Sequence, residues 1–379
     1  MREHQKHAKL PRPFSGAYGR QEWAILGTPC GNIQRLAREV IDQLGRRWKT
    51  AYIDADHHAQ EQSPEVKPSL EYTDQIHSQR LDFQGTLTPF QLRPLLNDQD
   101  LLLLNGNHFT AEKQILVIDP KKAESVQRKM DRLGDVHLIL FSEGVEAIHP
   151  FLLEKFPHLA SLPVLSLHDS AAVARFLENE LSRAIPPLYG LVLAGGKSER
   201  MGMDKSAIDY HGLPQRDYVY NLLQEFCDET FLSLRPDQSE EGPLPVLPDV
   251  FLGLGPYGAL LSAFQAYPDK AWLVAACDLP LLSAEALQFL TGNRDPSKPA
   301  TAFISPENAL PDPLLAIWEP KSYLTLLQFL AQGFSCPRKV LINSDTHLLQ
   351  APDPDWLLNV NTQEEYKRVM AAIGKAHNL

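Results

Sequence analysis

An α/β protein of two three-layer domains is the fold class that this sequence predicts. Short runs rich in Val, Ile and Leu alternate with segments of helical periodicity in both halves of the chain. The 379 residues exceed what one ordinary core serves. The alternation stops at Ala184-Ile185-Pro186-Pro187 and then begins again with a strand. The expected organisation is a flexible basic tail over 1–18, one domain over 19–185 and a second over 188–379.

In the first half the runs WAILG, TAYID, DLLLLN, QILVID and VHLILF predict strands buried on both faces, hence a mostly parallel sheet. Between the first two, Ile33, Leu36, Ala37, Val40, Ile41 and Leu44 recur at helical spacing, which completes a βαβ unit. Asp169 or Ser170 is placed to cap a helix whose Val173, Phe176, Leu177 and Leu181 share one face.

In the second half YGLVLAG, ETFLSL, AWLVAACD, ATAFI and PLLAIW predict strands. Helical patterns surround Tyr218 to Phe226, Leu260 to Ala266 and Ser283 to Leu290. The stretch Pro243 to Pro256 reads as an ordered loop, with a linker as the alternative. Thr362 and Glu365 form a T-x-x-E capping box for a final helix with Tyr366, Val369, Met370 and Ile373 on its apolar stripe.

Hydrophobic residues make up 44% of the chain and charged ones 22%, which describes a globular protein. A net charge of −11 argues against nucleic-acid or anionic-membrane partners, which need a broad basic surface. Cys30, Cys227, Cys277 and Cys336 are scattered without a C-x-x-C pair, so neither a zinc site nor a disulfide framework is expected and a reducing cytoplasm is the simpler home. The N-terminal segment is basic without the apolar core of a secretory signal, and no apolar run is long enough to span a membrane.

The most informative stretch is LAGGKSERMGMDK, Leu193 to Lys205, which follows an apolar strand. Gly195 and Gly196 let the backbone turn and bring its N–H groups close to a ligand, while Lys197, Arg200 and Lys205 offer cations to a polyphosphate. Taken alone, a Gly-Gly after a strand reads more readily as a tight turn beside solvated charges. The combination L-A-G-G-x-S-x-R-M-G-x-D-K, however, resembles the nucleotide-binding signature of the molybdenum cofactor guanylyltransferase family and matches it at each of those positions. The likeness continues through most of Leu188 to Ile373. It implies a Rossmann-like nucleotidyltransferase domain in which Leu193, Ala194, Gly195, Gly196 and Lys205 bind nucleotide, with Arg200 and Lys205 as the catalytic cations.

Three further segments fit the same resemblance. In AWLVAACDLPLLS a buried strand delivers Asp278 at its C-terminal end, where open α/β sheets bind ligands and where a carboxylate can hold Mg2+. A helix cap near Ser283 or a turn is the structural alternative for Asp278, and the C-D-x-P pattern resembles the family's metal-binding segment. Asp249, followed by Gly255-Pro256, fits the family's nucleotide-contacting aspartate and Gly-Pro turn, although Tyr257, Gly258 and Ala259 shift the next glycine by one place. In NVNTQEEY, Asn359 and Asn361 resemble a substrate-facing element, with turn residues as the alternative. In ETFLSLRPDQ the chain keeps Arg235 but has Leu234 where the family commonly has Asn near the nucleoside.

The activity implied is Mg2+-dependent transfer of GMP from GTP to molybdopterin with release of pyrophosphate. CTP as donor, a sugar or alcohol phosphate as acceptor, and a non-catalytic scaffold are the alternatives. In the first half WAILGTPCGNIQRLAREV has the layout of a P-loop-like strand, loop and helix. Asn32 stands where the lysine would be and Ile33 where Ser or Thr would bind metal, so NTP hydrolysis is not expected there. The order of elements resembles the GTP-binding adaptor of the same pathway, which implies docking to molybdoenzymes or cofactor carriers. Asp54, Asp56, His57 and His58 read as a solvated strand end rather than a metal cluster.

Overall fold

A computed structural model describes residues 9–56, 69–195, 205–236, 238, 243–360 and 362–376. Its contacts divide into two compact units, one of Phe14–Ala184 and one that includes Ile185–Leu379.

The first unit contains β1 (Glu22–Leu26), β2 (Thr50–Ile53), β3 (Leu70–Gln75), β4 (Ser78–Phe83), β5 (Leu101–Asn105), β6 (Lys113–Ile118), β7 (Asp135–Phe141) and β8 (Val164–Ser166). Six of them form one sheet in the order β2-β5-β1-β6-β7-β8, and every pairing in it is parallel. The continuous apolar runs explain this, because β1 and β5 are buried at every position and a sheet covered on both faces tolerates no polar alternation. Helix Cys30–Leu44 turns Ile33, Leu36, Ala37, Val40 and Leu44 inward. Each of its fully buried branched residues contributes about 2 kcal/mol of transfer free energy. Asp169 caps helix Ser170–Arg183 by accepting from Ala172 N–H at 2.9 Å. The hairpin of β3 and β4 is a separate antiparallel pair that the apolar pattern does not predict, because nearly all its residues are exposed.

Glu22 is an acidic residue buried at the start of β1, and its carboxylate is fully occupied. It accepts from the N–H groups of Ala17, Tyr18, Gly19 and Glu112, at 2.7 to 3.3 Å. That arrangement pins the chain just ahead of the first strand.

The second unit contains β9 (Leu188–Leu193), β10 (Glu229–Leu234), β11 (Val246–Pro248), β12 (Ala271–Ala276), β13 (Ala300–Ile304), β14 (Pro311–Trp318) and β15 (His347–Leu349). They form a mixed sheet in the order β11-β10-β9-β12-β14-β13-β15, in which β14 runs against both of its neighbours. Helix Gln215–Gln224 packs one face of the sheet through Val219, Tyr220 and Leu223. Helix Pro256–Ala266 covers the other through Leu260, Leu261 and Phe264. The capping box ahead of helix Gln363–Ala376 is formed as expected, with Thr362 N–H donating to Glu365 and Glu365 N–H to the Thr362 hydroxyl.

Among the described residues no helix is long and apolar enough to cross a membrane.

Candidate functional site

The order β11-β10-β9-β12 creates a place where the chain reverses direction across the sheet. From β9 it moves outward through β10 to β11, then returns to lay β12 on the other side of β9. These four strands are parallel, so their C-terminal ends open at one edge. The register aligns Leu193 with Ser233 on one side and with Ala276 on the other. A crevice outside the C-terminal ends at such a switch point is where open α/β sheets bind ligands.

On the β10 side, Arg235 donates through Nη1 to the carbonyl oxygen of Gly195 at 3.1 Å. Ala194 N–H donates to the Ser233 carbonyl at 3.2 Å, which extends the β9–β10 pairing to the start of the loop. Asp249 joins the group from the end of β11, where its Oδ1 accepts from the Ser233 hydroxyl at 2.7 Å and its N–H donates to the Leu234 carbonyl at 2.9 Å. Burial pushes the Asp249 carboxyl up, against the opposing influence of the Ser233 hydrogen bond and the Arg235 charge. Leu234 points into the apolar core and is 4% exposed. Gly195, Arg235 and Asp249 therefore meet at one corner.

The turn after Asp249 accounts for the shifted glycine. Gly255, at φ 56°, precedes helix Pro256–Ala266, and a Cβ on Gly258 would lie 2.1 Å from the Phe251 carbonyl oxygen. Only glycine permits that approach. Ser262 then accepts from the N–H groups of Val250 and Phe251 at 2.9 and 3.3 Å, so the helix holds the loop that carries Asp249.

On the β12 side, Asp278 is half-buried two residues past the strand end. With its amide oriented by the surrounding acceptors, Asn359 donates to Oδ2 of Asp278 at 2.6 Å and to Oδ1 and the carbonyl oxygen at 3.1 Å. Val360 N–H donates to the Asp278 carbonyl at 2.9 Å. Ser283, not Asp278, caps helix Ala284–Gly292. The loop beyond Asp278 is braced from Gln215, whose Nε2 donates to the Leu279 carbonyl at 3.1 Å, and from Tyr218, whose hydroxyl donates to the Leu282 carbonyl at 3.1 Å. His211 lies 2.7 Å from the Pro280 carbonyl and stacks on Tyr218 at 3.8 Å. Burial first, then the charges of Tyr366 and Asp278, push the Tyr210 phenol up to about 12, so it remains a neutral neighbour.

The expected site residues thus divide into those with a described environment and those without. Leu193, Ala194, Gly195, Asp249, Asp278 and Asn359 lie at the edge just described. Gly196, Lys197, Arg200 and Asn361 lie outside the described residues, and Lys205 opens the short turn Lys205–Ala207. Ser233, Gln215, His211 and Tyr218 carry no linear signal. Sheet order and loop packing alone bring them here.

In the first unit, Gly27 adopts φ 94° and a Cβ on it would lie 2.3 Å from the Val117 carbonyl oxygen. The following loop closes on itself. Thr28 Oγ1 donates to Asp119 at 2.7 Å, while Asn32, in the position expected of a phosphate-binding lysine, donates to Thr28 Oγ1 at 3.0 Å. Tyr52 and Asn105 each donate to Asp54 at 2.7 Å. Burial opposes ionisation of Asp54, but the bonds from Tyr52, Ala55 N–H and Asn105, together with the charge of His108, hold its carboxyl below the usual range. Asp56 is exposed, and His57 and His58 lie outside the described residues.

The MobA-like NTP transferase domain family matches residues 190–347. A "Probable molybdenum cofactor guanylyltransferase" of Nostoc sp. is 32% identical over 184 residues, which cover 47% of this chain and 88% of that protein. A "Molybdenum cofactor biosynthesis bifunctional protein" of Synechocystis sp. is 36% identical over 186 residues, covering 48% of this chain. The chain spans only 54% of the length of that second relative. A solved MobB protein homolog from Bacillus stearothermophilus is 15% identical, with a TM-score of 0.30, and covers 43% of this chain and 98% of that one.

Proposed function

The chain belongs to the molybdenum cofactor guanylyltransferase family, and from that premise we propose that the unit of Ile185–Leu379 transfers GMP from GTP to molybdopterin with Mg2+ and releases pyrophosphate. The region matched at residues 190–347 is a nucleotidyltransferase domain. The observation that carries the finer reading is the placement of Asp278, a carboxylate held by Asn359 beside the end of β9 at the sheet's switch point.

The reaction asks for positioning and charge neutralisation more than for proton transfer. An acceptor phosphate is already ionised at neutral pH. Its oxygen attacks the α-phosphorus in line, a new P–O bond forms, the bond to the bridging oxygen breaks and pyrophosphate leaves. The backbone at Ala194 and Gly195 lines the triphosphate path, and Asp249 contacts the nucleotide. Arg200 and Lys205 balance the charge that moves onto the leaving group. Arg235 fixes the loop through the Gly195 carbonyl.

The donor set suits a hard divalent ion. Among the described residues no three His, Cys, Asp or Glu side chains gather as a cage, whereas Mg2+ is commonly held by one or two carboxylates with substrate phosphates and water. Asp278 would be the protein ligand, with Asn359 orienting its carboxylate. Bound there, Mg2+ supplies charge neutralisation at the phosphates.

One observation favours a second reading of the base. Leu234 occupies the place of an expected Asn and is buried in the core, so base selection by that position is lost. The alternative is a related transferase that uses CTP or acts on a sugar or alcohol phosphate. The full chain is incubated with each labelled NTP, Mg2+ and molybdopterin while pyrophosphate is followed. Turnover with GTP alone supports the first reading and turnover with CTP the second. No turnover with any acceptor leaves a scaffold.

A further inference from the structure

The edge of the first unit holds a set of reactive groups that the proposed transfer does not use. Cys30 is the first residue of helix Cys30–Leu44, at the positive end of a 15-residue dipole. Its Sγ lies 3.4 Å from His108 Nε2 and 3.5 Å from Asn107 Nδ2, which donates to it. Asn107 is itself fixed, donating through Nδ2 to the Thr28 carbonyl at 2.9 Å and through its backbone N–H to Asn105 Oδ1 at 3.1 Å. Asp54 lies close enough for the charge of His108 to act on its carboxyl, and Asn105 anchors that carboxyl at 2.7 Å. A nucleophile within reach of a base, a donor that orients the nucleophile and a carboxylate near the base form the arrangement that activates thiols.

The surroundings narrow the chemistry. Among the described residues no third ligand joins Cys30 and His108 to form a metal cage. Cys30 is also the only cysteine between residues 14 and 184, so its own unit holds no second thiol to resolve an adduct. Cys30 is half-buried, so it is not sealed from a small reagent.

We propose that Cys30 is a modification site whose thiol, with His108 as base, exchanges with small disulfides to form a mixed disulfide. In the step, the Sγ proton passes to His108 Nε2 as Sγ attacks one sulfur of the disulfide RSSR. The Cys30 S–S bond forms and the original S–S bond breaks. The departing RS− takes the proton from His108, so one thiol and one disulfide are present before and after. Without a resolving cysteine in the unit, the adduct persists until an external thiol reverses it.

The test uses the full chain with oxidised glutathione at neutral pH and follows the glutathionyl mass on each cysteine peptide over time. Exposure alone makes Cys336 the faster thiol, because it is exposed and Cys30 is half-buried. The expected result is the reverse, with Cys30 modified about tenfold faster or more, as general-base assistance allows. His108→Ala should slow Cys30 by about the same factor and leave Cys336 unchanged. A Cys30 rate at or below that of Cys336, or a Cys30 rate indifferent to the loss of His108 in a folded chain, overturns the proposal. The buried Cys277 reports folding by staying unmodified. Should His108→Ala unfold the chain, His108→Asn replaces it and the wild-type ratio still decides.

Discussion

The side-chain nitrogen of Asn359 lies 2.6 Å from one carboxylate oxygen of Asp278 and 3.1 Å from the other, so a residue just ahead of the final helix orients the carboxylate delivered by β12. Removal of a partner that orients a metal-binding carboxylate typically costs about 10- to 100-fold in affinity or activity. Asn359→Ala should therefore lower the rate of pyrophosphate release by about that factor, with partial recovery at raised Mg2+. Asp278→Ala should abolish it at any Mg2+ concentration. Full activity in Asn359→Ala at limiting Mg2+ would remove Asn359 from the site.

Arg235 should matter for nucleotide affinity. Its bond to the Gly195 carbonyl is charge-assisted, and such bonds contribute about 1.5–3 kcal/mol. Arg235→Ala should weaken nucleotide binding roughly tenfold or more, measured by calorimetric titration of the Mg2+–nucleotide complex. Unchanged affinity would make the contact structural only.

Asp249 should trade stability for function. Burial raises its carboxyl above the usual value, so the neutral form is the one that folding favours. Its contribution is therefore fully present below the unfolded-state value and lost as pH rises through the folded-state value. At neutral pH the ionised group is a cost to folding, and Asp249→Asn should raise the thermal midpoint there while depressing transfer. That stabilisation should shrink as pH falls into the carboxylate range. A lowered midpoint at pH 7 contradicts the account.

The ion pair of Arg294 and Glu319 should be a point of vulnerability. Nε and Nη2 of Arg294 meet the two carboxylate oxygens at 2.7 and 2.9 Å, with the side chains 13% and 1% exposed. Burial raises the Glu319 carboxyl, against the bond and charge of Arg294. Arg294→Met leaves that carboxylate buried without its partner and should destabilise the second unit by about 3–5 kcal/mol in denaturant unfolding. Arg294→Met combined with Glu319→Leu should recover much of the loss.

The elements legible in the sequence are those whose burial writes a pattern. LLLLN and AWLVAA are continuous because both faces are covered, and both are strands. The T-x-x-E box and Asp169 announce helix starts through local chemistry, and both caps are formed. LEYTDQ and SQRLDF pair into a hairpin with almost no burial, so nothing apolar marks them. β8, β11 and β15 are three residues each, too short to show a period. At the candidate site, Asp278 and Gly195 stand out because each ends a buried strand. The bonds from Ser233 to Asp249 and from Gln215 to Leu279 depend on which strands and loops become neighbours. A linear reading holds no such information.

The reversed strand β14 has a consequence for how this enzyme class can diversify. β13 runs in the same direction as β12, and β14 folds back beside it, so their connecting turn, residues 305–310, opens at the same edge as Asp278. Its Leu310 N–H bonds to Asn308 Oδ1 at 3.0 Å and Ala309 sits at φ 56°, so the turn has a defined shape of its own. Insertions or exchanges there would leave every strand register intact. Such changes would redraw the approach to the carboxylate while the corner of Gly195, Arg235 and Asp249 stays as it is.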